Sequence, residues 1–445
     1  MIAILGSTAS ALNIKPPSSF SSEVANEYKV TFTANYRTQW TQLKEIQQLN
    51  ESQKIYFKNE SVLASLKYLY GPLTNRQWGS PQKGFEAKID WANASLKDGR
   101  IYLPYTYEAT WILHREFERN RNFQIPVPFN IQDLQTPQWK SCTDRDPEHQ
   151  TLSFYWYFWD PTRRGCDQQL GREFQMADVR IVDSTPNLKK SLPEYDRLFR
   201  RGPNGEKLLT ITLAFGYVSN PQNPLPEKDT DAGALQYQNF LDFMRGSKTP
   251  RFEETDITLK EYGMTYNGSR VIGHKFTGEL NGAQVQVRVV IAAEVDQMDL
   301  FAKSFAEDHE SLFAWFGHSR VGAGFDADRM SLKLRTEPQK YSISSDYQII
   351  YWAGCSSYSY YTLPFFQMKT SKADPIGTKN LDIISNGQPS YFVLNGENAK
   401  IILTQILNWR EKPTYQQIIK SLEGAAARYG MNRILINVLG DEDNP

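Results

Sequence analysis

The architecture of the C-terminal half follows from two apolar runs, Leu312-Phe-Ala-Trp-Phe316 and Tyr347-Gln-Ile-Ile-Tyr-Trp-Ala353. Both are short, rich in aromatic and branched residues, and lack the alternation of a strand with one face in water. Such runs are typical of strands buried on both faces of a parallel sheet. A third run, Leu208-Leu-Thr-Ile-Thr-Leu-Ala-Phe215, has the same character and ends at a glycine.

Segments of helical length separate these strands, at Ala232–Arg245, 297–310 and 398–409, and Pro413-Thr414 starts another helix before a last strand at 434–439. Runs at 270–280 and 283–292 meet at Asn281-Gly282, a strong β-hairpin signal. Strands alternating with helices predict an α/β domain with a mostly parallel sheet over 207–445.

The N-terminal half has a different sequence pattern. Short alternating segments at 29–36, 85–91 and 100–105 are separated by Gly, Pro and Asn, and a helical stretch covers roughly 43–70. This pattern predicts a β-rich or mixed α+β module over 13–200. Residues 1–12 combine a short apolar run with Ala9-Ser10-Ala11, which is read as a signal-peptide remnant or a disordered N-terminus.

The composition excludes several classes of protein. The 445 residues carry 50 Lys+Arg against 50 Asp+Glu, so no global charge attracts nucleic acid. No stretch approaches the ~20 apolar residues of a membrane-spanning helix. Aromatic residues make up 13% of the chain, which predicts a globular protein rather than a disordered one.

The three cysteines are Cys142, Cys166 and Cys355. They form no CxxC or zinc-like cluster, and nucleotide and HExxH motifs are missing, so no metal or cofactor is predicted. Cys142 and Cys166 flank the aromatic run Phe154-Tyr-Trp-Tyr-Phe-Trp159, which predicts a disulfide between them with Cys355 free in a periplasmic or secreted protein. The alternative is three reduced cysteines in a cytoplasmic protein.

Two strands end in residues that suit a thiol nucleophile. Gly317-His318-Ser319 follows the first run, and Gly354-Cys355-Ser356 follows the second. If the two strands are parallel neighbours, His318 and Cys355 leave the same edge of the sheet. The imidazole would then assist thiolate formation or protonate a leaving amine, while the sulfur attacks a carbonyl carbon.

The blocks Phe313-Ala-Trp-Phe-Gly-His-Ser319 and Ile349-Ile-Tyr-Trp-Ala-Gly-Cys-Ser356 resemble the caspase, gingipain and legumain superfamily of cysteine peptidases over roughly 207–440. The resemblance implies a caspase-like sheet and a peptide or protein substrate. It also implies His318 as general acid/base, Cys355 as nucleophile, and an oxyanion hole made by the backbone N–H groups of Cys355 and Ser319. The family usually has glycine after the histidine, where this chain has Ser319.

Other interpretations stay open. Asp326 and Asp328 could line a pocket for a basic side chain or simply cap turns. Gly317-His-Ser-Arg-Val-Gly322 approaches the G-x-S-x-G pattern of a serine esterase with Ser319 as nucleophile, although its second glycine falls one position late. A non-catalytic binding or surface-assembly protein on the same fold is the third reading. A working dyad is expected to lower the pKa of Cys355 and leave its thiol partly exposed.

Overall fold

The structure is a computed structural model of the 445-residue chain. It describes residues 20–81, 85–131, 134, 142–143, 155–164, 166, 171–188, 190–219, 221, 223, 225–258, 271–293, 297–307, 310–319, 326, 330, 332, 336–337, 343–431 and 433–440. Two sequence-based predictions fall outside these described residues, those for the N-terminal segment 1–12 and for Asp328.

The N-terminal half forms an antiparallel sheet of seven strands. They are β1 (Ala25–Arg37), β2 (Gly79–Pro81), β3 (Glu86–Ile89), β4 (Ser95–Lys97), β5 (Arg100–His114), β6 (Asn122–Pro128) and β7 (Phe174–Ser184). The strand order is β2-β5-β1-β7-β6, and β3 and β4 also pair with β5. This is the β-rich module that the alternating segments predicted.

Short helices accompany this first sheet. They are α1 (Leu43–Gln47), α2 (Glu51–Phe57), α3 (Ala64–Leu66), α4 (Tyr70–Asn75) and α5 (Tyr155–Phe158), with a π-helical turn at Lys58–Leu63. The predicted helix at 43–70 is interrupted at 48–50, because Asn50 caps α2 through a bond from the Gln53 N–H to its side chain, 2.9 Å long.

The C-terminal half forms a second sheet of nine strands. They are β8 (Arg200–Arg201), β9 (Lys207–Gly216), β10 (Glu253–Thr258), β11 (Val271–Leu280), β12 (Ala283–Ala292), β13 (Leu312–Phe316), β14 (Gln348–Trp352), β15 (Leu381–Asn386) and β16 (Ile436–Leu439). The order is β10-β11-β12-β9-β13-β14-β15-β16, with β8 on β9. Neighbours from β12 to β15 run parallel, and β16 is antiparallel to β15.

Helices cover both faces of the second sheet. They are α6 (Ala232–Arg245), α7 (Gln297–Ala302), α8 (Ser357–Tyr360), α9 (Thr362–Lys369), α10 (Asn395–Leu407) and α11 (Tyr415–Arg428). Along β13, Leu312, Ala314 and Phe316 pack with α6, α10 and α11, whereas Phe313 and Trp315 pack with α7 and α9. Burial on both faces explains why the strand reads as an unbroken apolar run.

One local prediction is confirmed and three turn out differently in detail. Asn281 and Gly282 form the predicted hairpin turn, with φ values of 54° and 81°. The predicted helix at 297–310 is α-helical only to Ala302 and continues as a π-helical turn, Lys303–Glu307. The helix predicted at 398–409 is α10, which starts at Asn395. The last strand, predicted from 434, starts at Ile436.

The two sheets share a core. Ser21 pairs with Val438 on β16 through two backbone hydrogen bonds of 3.0 and 2.9 Å. Phe20, Ala25 and Ile112, all from the N-terminal half, pack in the apolar cluster beneath the second sheet. The chain passes from the first sheet to the second between the end of β7 at Ser184 and the start of β8 at Arg200, ahead of the 200–207 division suggested by the sequence, and the two halves pack against each other.

Cys142 and Cys166 form a disulfide, and Cys355 is a free thiol. The disulfide lies in a small buried cluster with Trp159 and Phe174. The amide N–H of Asp160 donates to the carbonyl of Cys142 at 2.8 Å. The bridge thus braces the segment that carries the aromatic run.

The chain is a mixed α/β protein with two multi-strand sheets. In the described part of the chain, none of the helices has the length and apolar character needed to cross a bilayer.

Candidate active site

The register of β13 and β14 puts the two predicted catalytic residues at equivalent positions after neighbouring strands. Leu312 pairs with Ile349 and Trp315 with Trp352, an offset of 37 residues that also separates His318 from Cys355. The hydrogen bonding between the two chain segments continues for one residue beyond the end of β14, because the amide N–H of Ala353 donates to the carbonyl of Trp315 at 2.9 Å. Both side chains therefore leave the carboxyl edge of adjacent parallel strands, as the sequence predicted.

The turns that carry these residues are in direct contact. A Cβ atom at Gly354 would collide with Ser319 Oγ and would lie 3.1 Å from the carbonyl oxygen of Gly317. Glycine at 354 is thus required by close approach. The two strand ends are packed against each other up to the residue before the thiol.

The imidazole of His318 is oriented by a backbone carbonyl. Its Nε2 lies 3.0 Å from the carbonyl oxygen of Val218, so Nε2 carries the proton in this bond. In the neutral ring Nδ1 is then the basic nitrogen. The ring also meets Phe392 edge to face, with centroids 4.9 Å apart.

Val218 is fixed by the start of α6. Asp231 caps this helix by accepting the N–H of Gly233 at 2.8 Å. The same carboxylate accepts the N–H groups of Val218 and Ser219, at 2.9 and 3.0 Å. Asp231 is therefore a positioning residue for His318, acting through the Val218 carbonyl.

Cys355 is half-buried, and its sulfur contacts the backbone of Ser390. The Ser390 N–H donates to Sγ at 3.3 Å, and the thiol lies 3.8 Å from the Ser390 carbonyl oxygen. Among the described residues, the thiol is not hydrogen-bonded to His318. Both residues nevertheless contact one short segment, Ser390-Tyr391-Phe392, which joins them.

Burial raises the pKa of the Cys355 thiol above its ordinary value, and the Ser390 N–H lowers it by a smaller amount. A lowered pKa, which is expected of a working dyad, is therefore not found. The physical reason is desolvation, since removing a thiol from water disfavours its charged form. The expectation of partial exposure agrees with the structure.

Tyr391 lies between the two residues that contact Cys355 and His318. Its side chain is 43% exposed, and partial burial followed by the neighbouring Cys355 raises the pKa of its hydroxyl. The sequence analysis missed the 390–392 segment. It follows β15, the next parallel strand after β14, so the rule that sites collect at carboxyl ends of strands could have identified it.

Ser356, directly after the predicted nucleophile, has a left-handed backbone with φ 44° and ψ 36°. Its N–H donates to the carbonyl of Gln388 at 3.0 Å. Its hydroxyl lies 2.6 Å from the hydroxyl of Tyr157, which belongs to the aromatic run of the N-terminal half. This side-chain contact spans 199 residues of sequence.

The structure describes fewer contacts for the other predicted site residues. Ser319 Oγ is buried and hydrogen-bonded to no partner within the described chain. The backbone carbonyl of Asp326 accepts the N–H of Met330 at 2.9 Å, and its role as a pocket residue stays a prediction. The oxyanion role of the Ser319 and Cys355 N–H groups also stays a prediction. The described residues include no cluster of three or more His, Cys, Asp or Glu side chains suited to a metal ion.

Comparison with known proteins gave no match: no protein-family model, curated protein or solved structure is significantly similar to this chain.

The first prediction concerns the contact between Ser319 and Gly354. Gly354→Ala should lower the free energy of unfolding by about 1–3 kcal/mol, because the new methyl group overpacks the turn. Ser319→Ala alone should change it by less than about 0.5 kcal/mol, since a hydroxyl without a partner is lost. Urea denaturation of the double variant should recover about 1 kcal/mol of the Gly354→Ala loss. Purely additive effects would contradict the contact.

The second prediction concerns the thiol. Because burial raises its pKa, less thiolate is present at pH 7 than in a free cysteine. The rate of iodoacetamide alkylation at Cys355 should therefore rise with an inflection above about pH 8.5. The same cysteine in urea-unfolded protein is the control and should react faster at pH 7. An inflection below that of the unfolded chain would show that the assigned environment is incorrect.

Proposed function

We propose that this protein is a cysteine peptidase, with Cys355 as nucleophile and His318 as general base and acid. The observation that supports the proposal is the β13–β14 register, in which an oriented imidazole and the one cysteine outside the disulfide follow neighbouring parallel strands at equivalent positions. The parallel arrangement of β12, β9, β13, β14 and β15 supports a caspase-like sheet for the second half.

The proposed reaction uses two atoms, Cys355 Sγ and His318 Nδ1. Cys355 Sγ attacks the carbonyl carbon of the scissile amide while its proton passes to His318 Nδ1. The tetrahedral intermediate collapses, the C–N bond breaks, and Nδ1 returns the proton to the leaving amine. Water then attacks the thioester, His318 takes its proton, and the thiol is restored as the acid product leaves.

The raised pKa of Cys355 fits a mechanism in which the thiol stays neutral at rest. Deprotonation then accompanies attack, when a bound substrate brings the carbonyl to the sulfur. The backbone N–H groups of Ser319 and Cys355 are the proposed donors to the oxyanion. Asp326 and Asp328 are proposed to favour a basic side chain next to the scissile bond.

The disulfide supports a periplasmic or secreted location, since such bonds persist in oxidising compartments.

One observation favours a second candidate, a non-catalytic binding or surface-assembly protein. A half-buried thiol with a raised pKa, bonded to backbone atoms, is also what a structural cysteine has. The serine esterase is supported less well, because the Ser319 hydroxyl is buried and contacts no base among the described residues.

Cleavage of a peptide library tests the proposal. The full chain is incubated with peptides derived from a proteome digest, and new amino termini are identified by mass spectrometry. We expect cleavage by the wild type and by Ser319→Ala, and a loss of at least about 1000-fold in Cys355→Ser and His318→Ala. Folding of each variant is checked by circular dichroism.

The outcomes separate the candidates. Activity that survives in Cys355→Ser and disappears in Ser319→Ala would replace the thiol with the serine nucleophile. A folded wild type that cleaves no peptide of the library would overturn the peptidase and favour the binding protein.

A further inference from the structure

The residue after the nucleophile has an unfavourable backbone conformation. Ser356 has φ 44° and ψ 36°, and a left-handed residue other than glycine costs of order 1–2 kcal/mol. Such a conformation persists only where neighbouring groups hold it. At this position it sets the direction of the Cys355–Ser356 peptide and the start of α8.

The groups that hydrogen-bond to Ser356 either belong to the N-terminal half or are themselves bonded to it. The hydroxyl of Tyr157 lies 2.6 Å from Ser356 Oγ. The carbonyl of Gln388 accepts the Ser356 N–H, and the side chain of Gln388 donates to the carbonyl of Gly79 at 2.7 Å. One restraint therefore comes directly from the N-terminal module, and the other is anchored to it.

Tyr157 is itself held firmly. It is buried, and its ring stacks on Tyr70 at 5.9 Å between centroids. Tyr70 in turn stacks on Tyr360 of α8 at 5.3 Å. Burial first, and the neighbouring Cys355 second, raise the pKa of Tyr157 well above its ordinary value, so its hydroxyl stays protonated.

The same module fixes the rest of α8. The hydroxyl of Tyr358 donates to the buried carboxylate of Glu27 at 2.7 Å, and Ser359 Oγ lies 2.9 Å from Ser80 Oγ. Ser356, Tyr358 and Ser359 thus each bond to a residue of the first sheet or its helices. The turn that carries the nucleophile ends against this surface.

We propose that Tyr157 is a positioning residue of the catalytic centre, holding Ser356 in its left-handed conformation and so aligning the thiol and backbone N–H of Cys355. This inference rests on the proposed peptidase function. It makes the N-terminal module a required part of the catalytic centre rather than an appended binding domain. It assigns the aromatic run at 154–159 a role that the sequence did not suggest.

The test uses Tyr157→Phe in the full chain, with kcat and KM measured on a peptide that the wild type cleaves. We expect kcat to fall by about 10- to 100-fold with KM changed less than about threefold, because misalignment affects the reacting atoms. Tyr107→Phe is the matched control, since it removes a buried tyrosine hydroxyl of the same module, one that accepts the indole N–H of Trp111 within β5 at 2.9 Å. It should change kcat less than about twofold.

The same substitution made in a Ser356→Gly variant separates an effect on positioning from an effect on stability. Glycine adopts positive φ without strain, so Ser356→Gly removes the need for the tyrosine. In the Ser356→Gly background, Tyr157→Phe should change kcat less than about twofold, even if it lowers the melting temperature. An equal loss in both backgrounds, or a wild-type kcat in Tyr157→Phe alone, would overturn the positioning role. A wild type that cleaves no peptide refutes the peptidase itself, which is a distinct result.

Discussion

The parallel pairing of β13 with β14 is the constraint on which the candidate site depends. Its hydrogen bonds continue to Ala353, so the next residues on both strands must leave the sheet side by side. Glycine at 354 lets the two turns approach, since a Cβ atom there would meet Ser319 Oγ and the Gly317 carbonyl oxygen. A slip of one residue would move His318 away from Cys355 and exchange the buried faces of both strands.

In the described part of the chain, backbone groups contact both candidate catalytic residues. The Val218 carbonyl orients the imidazole, and the Ser390 N–H contacts the sulfur. Desolvation then dominates the electrostatics, and the thiol is kept neutral. In the proposed mechanism, proton transfer from the thiol therefore waits for a bound substrate.

The interface between the two sheets contains buried polar groups as well as apolar ones. Glu27 is fully buried, and the hydroxyls of Tyr358 and Thr185 donate to it at 2.7 and 2.6 Å. Burial raises the pKa of this carboxyl above its ordinary value. Removing either donor would leave a buried oxygen unpaired, at a cost of about 1–3 kcal/mol. These bonds fix how the first sheet meets α8 and thereby the turn at Ser356.

The sequence predicted what depends on local pattern. Leu312–Phe316 is an unbroken apolar run because both faces are buried, and Asn281-Gly282 forms a hairpin turn because both residues adopt positive φ. The parallel pairing of the two strands that precede His318 and Cys355 agrees with the sequence-based prediction, and their action as a dyad stays a prediction. Tyr157 could not be identified, since its contact with Ser356 spans 199 residues. The raised pKa of Cys355 could not be predicted either, because burial depends on packing that no motif encodes.

Trapping the covalent intermediate tests the central claim most directly. Protein quenched in acid during peptide cleavage is digested, and the modified residue is located by mass spectrometry. The account predicts an acyl group on Cys355 that hydroxylamine removes, as expected for a thioester, and none in Cys355→Ser. Peptide cleavage without any acyl group on Cys355, or with the acyl group on Ser319, would contradict it.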